Sequence, residues 1–199
     1  MHYMLKVHSY KRSGTNLLMA LLSVNFDFGC DLSGYGNTYS GNKWIESGKE
    51  ETIIPWGKLC GQHDYHQKIQ KGILDERIYI YRHPLDVMRS YWEFQGKLES
   101  LNEFCCASRI VNWKFHVEGF INGGVYLVRY DELCANPNMQ MDNIRNHWNL
   151  KTIDGNFHPI TKRVGWKEKA LMSDDEGYDD DTLNRFRNIL GSEYKGFRI

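Results

Sequence analysis

Short apolar runs alternate along this chain with longer segments whose apolar residues recur at helical spacing. Four runs rich in branched and aromatic residues predict β-strands at residues 4–8, 58–62, 78–81 and 125–128. Five segments with apolar residues on one helical face predict α-helices at residues 16–24, 85–94, 100–121, 138–148 and 181–190. Strands that alternate with helices predict one α/β domain over residues 1–199, with a mostly parallel central sheet flanked by helices.

Two polar stretches interrupt this pattern. Residues 27–57 are rich in Gly, Ser, Asn and Tyr and keep no regular period, which predicts an irregular excursion. The acidic run SDDEGYDDD at residues 173–181 leads into the last predicted helix. Because Asp is favoured at helix starts, this run predicts a solvated loop and a helix cap rather than a cation site.

Composition narrows the partners and the compartment. The 25 basic side chains balance the 25 acidic ones, so the net charge gives no bulk attraction to nucleic acid. The five cysteines, at positions 30, 60, 105, 106 and 134, show no CxxC spacing and indicate reduced thiols. The sequence shows no signal-peptide core and no apolar stretch long enough to cross a bilayer. We therefore expect a cytoplasmic protein with no membrane span and no nucleic-acid partner.

Three stretches rich in chemistry-bearing residues each follow a predicted strand, and they start at Ser9, Arg82 and Arg129. In parallel α/β sheets, ligands bind beyond the carboxyl ends of the strands. These stretches are therefore expected to lie at the same edge of the sheet and to form the binding site.

The first of these stretches has the chemistry of an anion site. Ser13, Gly14 and Thr15 lie between a strand and a helix, where backbone N–H groups and the positive helix end favour an anion. Gly14 permits close backbone approach, and Arg12 offers a bidentate guanidinium. The loop lacks the Gly-Lys-Ser/Thr of nucleotide triphosphatases. In addition, the predicted strand at residues 78–81 is followed by the cation Arg82, where a metal-binding Asp would be expected in those enzymes. Both differences disfavour metal-assisted nucleotide hydrolysis.

The second stretch, RHPLDVMRSYW, offers a place for another phosphate. Arg82 supplies charge, and Ser90, eight residues later on the following helix, supplies a neutral donor. A purely structural alternative pairs Arg82 with Asp86 one turn later and has Ser90 hydrogen-bond within its own helix. The sequence leaves both interpretations open.

Taken in order, four segments resemble the sulfotransferases that use 3′-phosphoadenosine 5′-phosphosulfate (PAPS). These segments are YKRSGTNLL, RHPLDVMRSYW, VYLVRYDELCANP and KRVGWKEKAL. The resemblance implies a P-loop NTPase-like sulfotransferase fold, PAPS as donor, 3′-phosphoadenosine 5′-phosphate (PAP) as product, and no metal. Lys11 stands where the family usually has Pro, while Arg12 and Leu17 bring the loop closer to the tyrosylprotein and bacterial branches.

The resemblance also assigns site residues. The loop residues that it implies for the 5′-phosphosulfate are Lys11, Arg12, Ser13, Gly14, Thr15 and Asn16. The residues that it implies for the 3′-phosphate are Arg82 and Ser90, with Tyr130 at the adenine. Those implied near the 3′-phosphate side are Arg163, Gly165 and Lys167.

Sulfuryl transfer to a hydroxyl or amine needs positive charge on the leaving phosphate and benefits from a base on the acceptor proton. Arg12 supplies the positive charge for the leaving phosphate. His63, which follows a predicted strand, is the first candidate for the base, because an imidazole ordinarily changes charge near neutral pH. A carboxylate of the excursion after the first helix is the alternative, with candidates Asp27, Asp31 and Glu46.

Two other functions stay open at this point. A P-loop nucleotide or small-molecule kinase would use Asp131 or Glu132 as a metal carboxylate. A non-catalytic nucleotide- or carbohydrate-binding module would keep the fold and lose turnover. The identity of the acceptor, whether small molecule, carbohydrate or protein, and the oligomeric state are not encoded in these patterns.

Overall fold

A four-stranded parallel sheet organises the residues described in this computed structural model, which are 5–26, 59–62, 77–159 and 177–199. Its strands are β1 (Leu5–Ser9), β2 (Leu59–Gln62), β3 (Arg77–Tyr81) and β4 (Tyr126–Arg129). They lie in the order β2-β1-β3-β4, and each neighbouring pair is parallel. The structure confirms the predicted α/β fold with a parallel sheet flanked by helices.

Seven helices accompany the sheet in the described ranges. They are α1 (Thr15–Asn25), α2 (Pro84–Phe94), α3 (Leu101–Phe104), α4 (Ala107–Asn122), α5 (Tyr130–Ala135), α6 (Pro137–Trp148) and α7 (Asp180–Leu190). The helical region predicted over residues 100–121 consists of two helices, because the chain turns at Cys105 and starts α4 from Cys106. Helix α5, which begins directly at the end of β4, was not predicted. None of these described helices is long and apolar enough to cross a membrane.

Three helix starts carry residues that suit a helix N-terminus. Pro84 occupies the start of α2, where its missing N–H costs nothing. Asp179 caps α7 by accepting a hydrogen bond from the Thr182 N–H at 2.8 Å, which confirms the helix-cap role of the last part of the acidic run. Ser100 and Glu103 form a reciprocal capping box at α3.

A short antiparallel hairpin follows α7 and was missed by the sequence analysis. Its strands are β5 (Glu193–Tyr194) and β6 (Phe197–Arg198). Lys195 and Gly196 join them with φ angles of 51° and 82°. Positive φ at both central residues is the type I′ geometry that matches the twist of a two-residue hairpin.

The alternation of side chains along β3 divides the core into two layers. Tyr79 and Tyr81 face a layer built with α2, α4 and α7. Ile78 and Ile80 face the opposite layer, built with α1 and α6. Successive residues of a strand point to opposite faces, so one short strand anchors both layers.

The strand order determines where a ligand site can form. The chain leaves β1 towards β2 on one side, whereas it leaves β3 towards β4 on the other side. The carboxyl ends of β1 and β3 are therefore adjacent while their following connections diverge. That is the switch point at which open α/β sheets bind ligands.

Replacing Phe120 with Ala tests the layer that packs on Tyr79. The Phe120 ring is fully buried and stacks on the Tyr79 ring with centroids 4.5 Å apart. We expect Phe120→Ala to lower the free energy of unfolding by about 3–5 kcal/mol. Phe115→Ala is the matched control, since Phe115 lies on the same helix but is 55% exposed, and its cost is expected within about 0.5 kcal/mol. Denaturant unfolding curves measure both, and equal losses would contradict this assignment of the core.

Candidate anion-binding site

The turn between β1 and α1 has backbone features that favour an anion. Arg12 and Gly14 both have positive φ, at 67° and 103°. The Ser13 N–H donates to the Tyr10 carbonyl at 3.2 Å, which closes the turn. Gly14 then caps α1, so the free N–H groups of the first helical turn lie beside the loop.

Gly14 is required here for space as well as for its backbone conformation. A Cβ at this position would lie 2.7 Å from Cε2 of Tyr130 and 3.2 Å from Cδ1 of Ile80, and closer still to Cδ2 of Tyr130. Real Cβ atoms do not approach other atoms this closely, so the Tyr130 ring rests against the loop backbone. The loop after β1 and the start of α5 are thereby in direct contact.

The two loop hydroxyls have different roles. The Thr15 hydroxyl is hydrogen-bonded to the Ser9 hydroxyl at the end of β1, which ties the helix start to the strand. The Ser13 side chain is only 1% exposed, and its hydroxyl has no hydrogen-bond partner among the described residues. A buried polar group is normally satisfied, so this hydroxyl suits a ligand that brings its own acceptor oxygen.

Arg82 is held at the tip of β3 from two sides. Its Nη2 and Nε lie 3.1 and 3.2 Å from Oδ2 of Asp86, and its Cζ lies 4.6 Å from the centroid of the Tyr130 ring. The side chain is 13% exposed. The ion pair with Asp86 that the sequence offered as a structural alternative is therefore present. It orients the guanidinium, which is shared between that carboxylate and the neighbouring ring.

Arg12 reaches the helix that follows Arg82. Its Nε donates to the Ser90 hydroxyl at 3.3 Å, and its Cζ lies 4.9 Å from the centroid of the Phe94 ring. The loop after β1 and the helix after β3 are thus joined by the two residues that the sequence assigned to different phosphates. The other open alternative placed the Ser90 hydrogen bond within its own helix, and the structure instead gives the hydroxyl this partner from outside α2.

Arg12 and Arg82 lie close enough for their charges to interact. The pKa of Arg12 lies below its ordinary value because burial penalises the charged form and because the positive charge of Arg82 repels it. Glu93 offsets part of this effect. Two guanidinium groups that converge in this way form a region that favours an anion.

Tyr130 provides a neutral aromatic surface beside these cations. Burial raises the pKa of its phenol to about 12, with Cys134 adding to the shift and Arg82 opposing it. The hydroxyl therefore stays protonated at neutral pH. The ring contributes an apolar face next to the loop between β1 and α1, and such a face is suited to stacking.

Lys11 and Asn16 are the other two predicted residues of this loop. Lys11 extends towards α2, where its Nζ lies 3.4 Å from the Tyr91 hydroxyl and 5.3 Å from the centroid of that ring. Asn16 lies in the first turn of α1. The structure thus gathers Arg12, Ser13 and Gly14 with the other predicted residues Thr15, Arg82, Ser90 and Tyr130 at the switch point.

Several predicted residues lie outside the described ranges. They are the base candidates His63, Asp27, Asp31 and Glu46, and the predicted phosphate contacts Arg163, Gly165 and Lys167. Within the described ranges, no group of three or more His, Cys, Asp or Glu side chains is arranged to hold a metal ion. Phe94, which lies under the Arg12 guanidinium, was not among the predicted site residues; its place four residues after Ser90 puts it one helical turn further along α2.

Comparison with known proteins gives a match of fold. No protein-family model and no curated protein matches the sequence. Among solved structures, mouse sulfotransferase SULT7A1 complexed with PAP is similar to this chain, with a TM-score of 0.68 and 16% sequence identity. The match covers 95% of this chain and 82% of the mouse chain. The predicted P-loop-like fold is thereby confirmed: this chain has a sulfotransferase-like fold.

Proposed function

We propose that this protein is a PAPS-dependent sulfotransferase, which moves a sulfuryl group to a hydroxyl or amine of an acceptor and releases PAP. The observation that carries the proposal is the contact of the Tyr130 ring with both Gly14 and Arg82, beside the Arg12–Ser90 hydrogen bond and the buried Ser13 hydroxyl. The likeness of fold to a sulfotransferase solved with PAP supports the same class of ligand.

The described residues fit a nucleotide that carries two separate phosphate groups. The loop of Arg12, Ser13 and Gly14 would hold the 5′-phosphosulfate through N–H groups, a hydroxyl and a guanidinium. Arg82 and Ser90 would hold the 3′-phosphate. The contact between the Arg12 Nε and the Ser90 hydroxyl makes the two positions neighbours in one site.

The other assignments of the nucleotide site are part of the same proposal. The Tyr130 ring, which adjoins both Gly14 and Arg82, would lie against the adenine. Lys11 would add charge from the outer side of the loop, and Thr15 and Asn16 would extend the first turn of α1 towards the phosphosulfate. The residues proposed to complete the 3′-phosphate side are Arg163, Gly165 and Lys167.

The proposed reaction forms a bond from the acceptor oxygen or nitrogen to sulfur and breaks the bond from sulfur to the bridging oxygen of the phosphate. Negative charge grows on that oxygen, where Arg12 and the N–H groups at the start of α1 would stabilise it. The acceptor proton would pass to His63, or to Asp27, Asp31 or Glu46 if the base is a carboxylate. In this proposal cations and N–H donors take the place of a metal ion.

A kinase is the second candidate, and the structure offers it less support. The carboxylates considered for a metal, Asp131 and Glu132, both pair with Arg129, whose Nε lies 3.1 Å from Oδ1 of Asp131 and 3.5 Å from Oε1 of Glu132. The tip of β3 carries the cation Arg82, where a metal-dependent kinase would be expected to place a carboxylate. A nucleotide-binding or carbohydrate-binding module without turnover is the third candidate, and an activity assay separates it from the enzyme.

Calorimetric titration with PAP in the presence of EDTA, beside ATP with Mg²⁺, tests the proposal first. We expect metal-free binding of PAP, which Arg82→Ala weakens by about ten- to a hundredfold because a charged hydrogen bond contributes about 1.5–3 kcal/mol. Arg145→Ala is the matched control, since Arg145 pairs with Asp142 on the surface of α6 at 3.1 Å. Binding of ATP with Mg²⁺ and no response to PAP would overturn the sulfotransferase proposal and favour the kinase.

Replacing Gly14 with Ala tests the contact between the loop and Tyr130. The positive φ alone costs a non-glycine residue about 1–2 kcal/mol. Gly96→Ala has the same kind of cost, at φ 85° with open space around the added methyl group, and serves as control. We expect Gly14→Ala to weaken PAP binding by about tenfold or more, because the methyl group displaces Tyr130, and Gly96→Ala to leave it unchanged. Equal affinities of the two variants in the same titration would contradict this interpretation.

The base is tested by turnover with radiolabelled PAPS over a panel of phenols, sugars and amines. If His63 removes the acceptor proton, His63→Ala lowers kcat by about 10²–10⁴-fold and leaves PAP affinity intact. Asp27→Asn, Asp31→Asn and Glu46→Gln test the carboxylate alternative in parallel. Full activity of all four variants would exclude each of these residues as the base.

A further inference from the structure

The β5–β6 hairpin packs against residues that adjoin the anion site. Phe197 is 5% exposed, and its ring meets the edge or face of the Tyr81 and His83 rings, with centroids 5.7 and 5.2 Å apart. The proposed function assigns no role to this hairpin. Its contacts nevertheless concentrate at the carboxyl ends of β3 and β4, where the site begins.

One set of contacts holds Arg129. Its Cζ lies 4.6 Å from the centroid of the Phe197 ring, and its Nε donates to Oδ1 of Asp131 at 3.1 Å. Gly196 lies so close that a Cβ there would be 2.7 Å from Nη1 of Arg129. The type I′ turn thus brings backbone and ring together around one arginine side chain.

A second set of contacts holds His83. Its Nε2 donates to the Arg198 carbonyl at 2.9 Å, and the ring is 7% exposed. The hairpin backbone is therefore bonded to a residue at the start of α2. This bond connects two segments that are 115 residues apart in the chain.

These two anchored residues are the immediate neighbours of two site residues. His83 follows Arg82, and Arg129 precedes Tyr130. Arg82 and Tyr130 in turn contact each other, with the guanidinium above the ring. We propose that the β5–β6 hairpin is a positioning element of the nucleotide site, which fixes Arg82 and Tyr130 through His83 and Arg129. As far as nucleotide affinity is concerned, this inference rests on the proposed function.

The substitution Phe197→Leu tests the proposal with little change in apolar volume. It keeps a buried apolar side chain and removes the ring over which Arg129 lies. Phe186→Leu is the matched control, because Phe186 is equally buried on α7 and its ring meets Tyr178 instead of Arg129. His83→Ala and His83→Gln form a second pair, since Gln retains an N–H donor near the position of Nε2 and Ala does not.

Two measurements are made on each variant: calorimetric titration with PAP, and hydrogen exchange of the backbone at residues 80–86 and 126–135 without nucleotide. We expect Phe197→Leu and His83→Ala to weaken PAP binding by about five- to tenfold and to speed exchange in both segments. We expect Phe186→Leu to do neither, and His83→Gln to restore most of the affinity lost in His83→Ala.

The outcomes separate the two proposals. Wild-type affinity in Phe197→Leu and His83→Ala, or an equal loss in Phe186→Leu, would overturn the positioning role and leave the proposed function standing. If the wild-type protein does not bind PAP, the proposed function fails, and exchange alone decides the inference. Faster exchange at residues 80–86 and 126–135 in Phe197→Leu, but not in Phe186→Leu, would then support the hairpin as an ordering element, and unchanged exchange would overturn it.

Discussion

The contact of the Tyr130 ring with both Gly14 and Arg82 is the constraint on which the rest of the site depends. It joins the segments that follow β1, β3 and β4, which are far apart in the chain and meet only because the strands are parallel. Gly14 admits the ring because it has no side chain. Arg82 lies over the same ring and is also paired with Asp86. The position of each of these three segments therefore restricts the positions of the other two.

Two groups of the site are placed less favourably than they would be in water. The Arg12 side chain is exposed, yet its pKa is lowered because the part of the guanidinium that is covered loses solvation and because the charge of Arg82 repels it. The buried hydroxyl of Ser13 adds a second group without a partner in the described residues. Local conflicts of this kind are expected at functional sites, where residues are selected for a ligand rather than for folding.

Much of this arrangement could be predicted because its signals are local. A strand followed by Ser-Gly-Thr, or by Arg-His-Pro, carries its chemistry within a few residues, and the parallel sheet then places those segments at one edge. The alternatives for Arg82 and Ser90 could not be decided from sequence. Asp86 lies only four residues after Arg82, but Arg82 precedes the helix and its direction there depends on the end of β3. The partner that reaches Ser90 comes from 78 positions earlier in the chain.

The elements missed by the sequence analysis are short. The strands of the β5–β6 hairpin have two residues each, too few for any alternation to show, although Lys195-Gly196 between two aromatic residues carries the turn signal. Helix α5 has six residues and begins where β4 ends, so its pattern merges with that of the strand. The Arg82–Asp86 pair, finally, balances the charge of a largely buried guanidinium without any ligand. Under the proposed function, release of an anion would therefore not leave a buried charge without a partner.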